Sequence, residues 1–310
     1  MSYQNAVVIG SGMMGPGIAL TLALGGVRAV ILSRAAHSAA NALATALAQL
    51  QLLADNGLAS PDDATRARGL LRSSCEFDFE IGSADLVIES APENMRFKQD
   101  LFERMDKIAK PECVLASNTS GLSITAIASK CLKPERVLTT HFWNPPHLMP
   151  LVEIVMGEKT SLAVASDVRD LLARCGKVPV LIKKDRPGQL GNRLQMALVR
   201  EAVNIVAEGI ASVEDVDLAA KSGFGLRLPV YGIFEHQDIV GLDMGLAITE
   251  YVSADLYNEP CAPPLYRQKV KEGKLGVKTG EGFYDWSKKD AQAVKARRDA
   301  FVLDFLKQNR

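Results

Sequence analysis

No apolar stretch of this 310-residue chain is long enough to span a bilayer, so no membrane-embedded fold is expected. Neither sign of charge is in excess: 36 basic and 36 acidic residues cancel, and neither gathers into a run or stripe. Nucleic acid and anionic membrane surfaces are therefore not expected partners. Cysteine is scarce. The five present, at 75, 113, 131, 175 and 261, are scattered and odd in number, without the paired spacing of a metal site or a disulfide framework. Reduced thiols in a cytoplasm are the simplest account, and no metal is expected. The first apolar run opens by residue 6, so no cleavable leader is expected. Internal repeats and low-complexity tracts are also missing. Histidine occurs only at 37, 141, 147 and 236, so any imidazole that moves a proton is one of four.

What is present begins with glycine. Ala6 to Ile9 is a short apolar run suited to a buried parallel strand. Gly10, Gly12 and Gly15 follow in G-x-G-x-x-G spacing, with Met13 and Met14 inside the turn. A helix-forming stretch then runs to the Gly25-Gly26 stop, and a second apolar run ends at Ser33-Arg34. Strand, glycine turn, helix and strand within about 30 residues is the setting that makes this fingerprint credible for a dinucleotide. Gly10 permits the tight turn, Gly12 lets the backbone approach a pyrophosphate, and Gly15 lets helix and strand pack closely. Five turn residues (Gly10, Gly12, Met13, Met14, Gly15) are thus expected at the cofactor. An acid at the end of the second strand usually accepts from the ribose hydroxyls of NAD, whereas an arginine nearby suits the extra phosphate of NADP. Here Ser33 and Arg34 occupy that point, so the reading is NAD(P), with NADP favoured over NAD.

Further apolar runs, Ala84–Ser90, Cys113–Ser117, Arg136–His141, Leu151–Val155 and Val178–Ile182, alternate with helical segments. That alternation predicts an α/β fold, a Rossmann-type doubly wound and mostly parallel sheet. Ser60-Pro-Asp-Asp is expected to cap a helix. The texture changes at Lys183-Lys-Asp-Arg-Pro187-Gly188, which places the boundary between a nucleotide domain, 1–185, and an all-helical domain, 186–310. The helical domain is expected to carry a homodimer contact.

Ligands of doubly wound sheets sit beyond the carboxyl ends of the strands. Ser120, His141 and Asn144 fall at such ends. Glu153 lies 12 residues past His141 within the apolar run Leu-Val-Glu-Ile-Val. A carboxylate in that setting needs a partner to offset desolvation, and His141 is the obvious one. Such a pair makes a proton acceptor, which the oxidation of an alcohol by a nicotinamide requires. Ser120 also suits a helix cap.

The motifs then accumulate in one order. They are Gly10-x-Gly12-x-x-Gly15, Val87-Ile-Glu-Ser-Ala-Pro-Glu93-Asn-x-x-x-Lys98, Ser117-Asn-Thr-Ser120, His141-Phe-x-Asn144-Pro, Leu151-Val-Glu153, Pro187-Gly188-x-x-x-Asn192-Arg193, Gly241-Leu-Asp243 and Lys278-Thr-Gly-x-Gly-Phe-Tyr284. On these the chain resembles the L-3-hydroxyacyl-CoA dehydrogenase family over nearly its whole length. The resemblance implies a cytoplasmic, homodimeric oxidoreductase of fatty acid metabolism. It interconverts a 3-hydroxyacyl-CoA and its 3-oxo form. By the same resemblance His141 is the base, Glu153 its partner, and Ser120 and Asn192 hydrogen-bond the reacting oxygen. Glu93 and Lys98 line the nicotinamide ribose side, with Asn118 also at the cofactor.

Three departures stand against the family pattern. Ser33-Arg34 replaces the ribose-binding acid. Leu50 to Arg66 holds no lysine for the CoA phosphates, although Arg66 and Arg68 could substitute. Pro150 stands near where CoA-using members carry a lysine. Relatives that oxidise free hydroxy compounds, such as carnitine, gulonate and pyridine-carboxylate dehydrogenases, are the alternative. In that case Asn144, His147, Arg227 and His236 could contact the substrate, the last three through its carboxylate. The thioester is placed first on family size alone. An idle nucleotide-binding protein of the crystallin kind is the non-enzyme alternative, and the retained His141, Glu153, Ser120 and Asn192 speak against it.

Overall fold

A computed structural model describes residues 3–309. Among them, eight strands form one sheet: β1 (Asn5–Ile9), β2 (Arg28–Leu32), β3 (Leu71–Ser74), β4 (Leu86–Glu89), β5 (Val114–Ser117), β6 (Val137–Phe142), β7 (Leu151–Met156) and β8 (Val178–Ile182). Their order is β3-β2-β1-β4-β5-β6-β7-β8. Neighbours are parallel except β6 and β7, which run antiparallel. This is the expected mostly parallel, doubly wound sheet. The helices of this part are α1 (Gly15–Leu24), α2 (Ala36–Asp55), α3 (Pro61–Leu70), α4 (Phe77–Ser83), α5 (Met95–Ile108), α6 (Ile124–Ile127) and α7 (Leu162–Arg174).

The strands are apolar on both faces because both faces are covered. Ala6, Val8, Ala29 and Ile31 join one core with α1, α2 and α7, whereas Val7, Val30 and Leu32 join the other with α4 and α5. Successive residues point to opposite faces, so five-residue strands serve two cores at once. Helix α1 is buried from Gly15 to Ala23, which explains its lack of a polar stripe. Ser60 caps α3 by accepting from the Asp63 N–H, with Pro61 at the first turn. β3 and α4 have no counterpart among the apolar runs of the sequence. β3 buries only Leu71 of its four residues and lies at the sheet edge.

The helices α8 (Gly191–Ala207), α9 (Val213–Ser222), α10 (Phe224–Arg227), α11 (Ile233–Val240), α12 (Leu242–Ser253), α13 (Pro264–Lys271) and α14 (Ala291–Gln308) complete the chain. By contacts the chain divides into two units. The first runs to Asn192 and takes in the residues from Arg298 onward, and the second is Arg193–Arg297. This differs from the expected 1–185 and 186–310. Residues 189–192 hydrogen-bond to Thr119, Ser120 and Glu153, which holds them in the first unit. The end of α14 returns there too: Leu303 is buried in the first core, and Lys307 donates to Asn56. The second unit is all helical, as expected, and α9 to α13 bury no residue. No described helix is long and apolar enough to cross a membrane.

Candidate active site

The strand order reverses between β1 and β4, which opens a crevice at their carboxyl ends. Gly10 sits there with φ of 124°, and a Cβ on it would lie 2.4 Å from the Ser90 carbonyl oxygen. A Cβ on Gly15 would lie 1.9 Å from the Gly10 carbonyl oxygen, so the turn closes only with glycine at both positions. Gly12 is different: nothing of the protein lies within 4 Å of the place for its Cβ. The bare backbone at Gly12 therefore faces open space, as an approaching pyrophosphate requires. Met14 at the N-cap of α1 supplies no side-chain acceptor, so the first N–H groups remain open to an anion. Met13 is exposed and Met14 half-buried. Ser33 Oγ lies 3.1 Å from Ser11 Oγ, and the Arg34 side chain is exposed at the end of β2. These residues fit a dinucleotide.

His141 and Glu153 face each other directly across β6 and β7. His141 Nδ1 is 2.6 Å from Glu153 Oε2, and Glu153 is fully buried. A carboxylate only accepts, so Nδ1 carries the proton and Nε2 keeps a free lone pair. Glu153 Oε2 also accepts from Trp143 Nε1 at 3.1 Å, while Oε1 accepts from the Leu190 and Gly191 N–H groups at 2.9 and 2.8 Å. Burial pushes this carboxyl up, but the donors from His141, Gly191, Leu190 and Trp143 outweigh it and hold the pKa below its ordinary value. Glu153 is thus ionised at neutral pH, poised to stabilise an imidazolium.

Ser120 follows β5, exposed at the head of its turn. Its N–H donates to Glu93 Oε1 at 2.9 Å, and its carbonyl accepts from Asn192 Nδ2 at 3.0 Å. Thr119 Oγ1 donates to the same Glu93 oxygen at 2.5 Å. Asn192 therefore holds Ser120 by the backbone and keeps one amide proton to spare. Asn118 spends its side chain on the frame: Oδ1 accepts from the Phe142 N–H at 2.8 Å, and Nδ2 donates to Ser90 Oγ at 3.3 Å. It ties the ends of β4, β5 and β6 together.

Lys98 does not line an open surface. Its side chain is 1% exposed, with Nζ 2.5 Å from Glu89 Oε1 and 3.3 Å from Glu93 Oε2. Glu89 in turn accepts from Ser117 Oγ and the Ala91 N–H, both at 2.6 Å. Lys98 thus acts beneath Glu93 instead of on a cofactor surface. The buried pair of Glu89 and Lys98, with Ser117, joins residues from three separate elements. Its one signal in the sequence is an acid closing the apolar run Leu-Val-Ile-Glu.

His147 also departs from expectation. It lies against α1: a Cβ on Gly17 would be 2.7 Å from Pro146 Cγ and 3.2 Å from the His147 N. Burial, with the Lys177 ammonium nearby, holds the His147 pKa down at about 4. A neutral imidazole in that position offers no charge to a substrate carboxylate. Asn144 is exposed ahead of a cis peptide bond to Pro145. In the second unit, Arg227 and His236 come together around Tyr231. The Arg227 guanidinium is 6.0 Å from the Tyr231 ring, and that ring stacks on His236 at 5.3 Å.

Residues 5–186 match the family model for the NAD binding domain of 3-hydroxyacyl-CoA dehydrogenase, and residues 188–286 match its C-terminal domain. The chain is 35% identical over 298 residues to 5-formyl-3-hydroxy-2-methylpyridine 4-carboxylate 5-dehydrogenase of Mesorhizobium japonicum, covering 95% of this chain and 94% of that one. It is 38% identical over 287 residues to a 3-hydroxybutyryl-CoA dehydrogenase of Clostridioides difficile, covering 92% of this chain and all of that one. Among solved structures, a 5-formyl-3-hydroxy-2-methylpyridine 4-carboxylic acid 5-dehydrogenase, described as an NAD+ dependent dismutase, superposes with a TM-score of 0.90. It is 33% identical, covering 98% of this chain and 97% of that one.

Proposed function

Because the chain belongs to the 3-hydroxyacyl-CoA dehydrogenase family, an NAD-binding family of oxidoreductases, we propose that it interconverts a secondary alcohol and its ketone with His141 as the acid–base group. The observation that carries this is the buried His141–Glu153 pair, 2.6 Å apart, with a free lone pair left on Nε2. The nicotinamide supplies or accepts the hydride. His141 takes the hydroxyl proton in oxidation and returns it in reduction. The Ser120 hydroxyl and the spare Asn192 proton stabilise charge growing on the reacting oxygen. Glu93 fixes the backbone of Ser120.

On substrate, what supports a free hydroxy acid over a CoA thioester is a shortage of cations. Helix α2 has no lysine or arginine, and of the two arginines of α3 Arg66 is engaged by Asp63 at 2.6 Å, which leaves only the exposed Arg68 there. The pyridine-carboxylate dehydrogenase named above adds to this reading. On the cofactor, Ser33 and the exposed Arg34 favour a 2′-phosphate, so NADP is preferred over NAD. Steady-state reduction of acetoacetyl-CoA and of free acetoacetate, each with NADH and NADPH, tests both choices. Activity confined to the thioester overturns the free-acid reading. A preference for NADH overturns the phosphate reading, and a preference for NADPH that vanishes in Arg34→Ala supports it.

The protein works as a homodimer through its second unit. Phe234 is 84% exposed and Tyr251 86%, and the helices that carry them, α11 and α12, bury nothing within the chain. Such apolar helices need a cover. An apolar groove of about 570 Å³ in the same unit, lined by Val199, Val203, Val213, Val216 and Val270, offers one in a second copy. Sedimentation should show a dimer, and Tyr251→Arg should yield monomer. The five free cysteines fit a reducing cytoplasm.

A further inference from the structure

The acid–base pair lies at the mouth of a single turn. β6 ends at Phe142 and β7 opens at Leu151, and His141 pairs with Glu153 one step inside that junction. The turn between them therefore controls how the two side chains meet. Internally it is held by the Leu148 and Met149 N–H groups, which both donate to the Pro145 carbonyl. The carbonyls of Pro146 and Met149 are served from outside. Lys177 Nζ donates to them at 2.6 and 3.0 Å.

Lys177 is well placed to do this. It lies between α7 and β8, with its own N–H bonded to the Leu172 carbonyl. The next residue, Val178, donates to the Pro150 carbonyl and pairs with Leu151 at the start of β7. The ammonium has no carboxylate partner among the described ion pairs, and burial draws its pKa down to about 8. A cation set among carbonyls without a counter-ion is costly, so the two carbonyl contacts are what hold it there. From the opposite side the turn rests on α1, where the lack of a side chain on Gly17 admits Pro146. The turn is thus clamped between the helix that follows the phosphate loop and the Lys177 ammonium.

We infer that Lys177 is a positioning residue: by stapling the Pro146 and Met149 carbonyls it holds the turn that keeps His141 against Glu153. This rests on the reading of that pair as the acid–base group, and its test needs no substrate. The probe is the downfield proton resonance of the His141 Nδ1–H···Glu153 hydrogen bond, assigned by its disappearance in Glu153→Gln. Lys177→Met should fold and bind NAD+ within about twofold of the unaltered protein, since Lys177 hydrogen-bonds to the carbonyls of the turn and to none of the phosphate-loop residues Gly10 to Gly15. It should nevertheless lose that resonance or shift it upfield, and Lys177→Arg should restore it. An unchanged resonance in folded Lys177→Met overturns the inference, as does a loss that Lys177→Arg fails to repair. If Lys177→Met does not fold, Gly17→Ala presses on the same turn from α1, its Cβ falling 2.7 Å from Pro146 Cγ. There too the resonance should weaken, and an unaltered one overturns the inference. A resonance missing from the unaltered protein overturns the pair itself, and the staple with it.

Discussion

His141 Nδ1 and Glu153 Oε2 meet at 2.6 Å across two directly opposed positions of an antiparallel strand pair. A pair fixed by backbone register gives both side chains little freedom. His141→Asn should therefore leave the fold intact and lower the hydride-transfer step by about 10²–10⁴-fold, the usual worth of a positioned acid–base group. Stopped-flow absorbance of the nicotinamide reads this directly.

Glu153→Gln should cost stability as well as activity. The new amide would turn its N–H₂ toward donors at Leu190, Gly191, Trp143 or His141 at a fully buried position. One unsatisfied buried group costs about 1–3 kcal/mol. Because the Glu153 pKa is depressed in the folded protein, its stabilisation is present above the ordinary carboxylate pKa. It is lost as pH falls through the folded value. Thermal unfolding should show the gap between the unaltered protein and Glu153→Gln narrowing in acid.

His147 gives a second pH dependence. Its pKa is about 4 folded against 6.5 unfolded, so between these values the unfolded chain binds more protons. Its contribution to stability should therefore be complete above pH 6.5 and fall away as pH drops toward 4. Replacing the imidazole by an uncharged ring, His147→Phe, should flatten denaturant-measured stability over that window. An unchanged slope would remove His147 as its source.

The phosphate loop separates fold from ligand. A Cβ at Gly15 collides with the Gly10 carbonyl, so Gly15→Ala should destabilise the apoprotein. A Cβ at Gly12 meets nothing, so Gly12→Ala should melt like the unaltered protein yet bind the dinucleotide at least about tenfold more weakly. Calorimetric titration beside a melting curve tells the two apart.

The parts legible from sequence were those written in local patterns. The unbroken apolar run Ala6 to Ile9 gave a strand buried on both faces, and the glycine spacing gave the turn after it. His141 and Glu153 were legible as partners because a carboxylate inside the apolar run Leu-Val-Glu-Ile-Val needs a partner to offset its desolvation, and the strand pairing sets the two directly opposite. What stayed hidden depends on contacts far apart in the chain. β3 buries one residue of four and is a strand only because β2 lies beside it. The end of α14 belongs to the first unit through Leu303, which nothing near it announces. Lys98 looks like a surface lysine of an amphipathic helix until Glu89 is found beneath it.

That last pair makes the sharpest claim about stability. Lys98 and Glu89 are 2.5 Å apart with side chains 1% and 0% exposed, so neither charge reaches water if its partner is removed. Lys98→Met leaves Glu89 with only the Ser117 hydroxyl and the Ala91 N–H, both neutral donors. Breaking such a pair from one side costs about 3–5 kcal/mol, whereas removing both charges together is often near neutral. Lys98→Met should therefore unfold at markedly lower denaturant, and adding Glu89→Gln should recover most of the loss. Activity should not return with it. Glu93 would still lack the ammonium 3.3 Å away that helps hold it against Thr119 and Ser120. Stability restored without activity separates the part of Lys98 that holds the sheet from the part that holds the site. Recovery of both would show that Lys98 serves the fold alone.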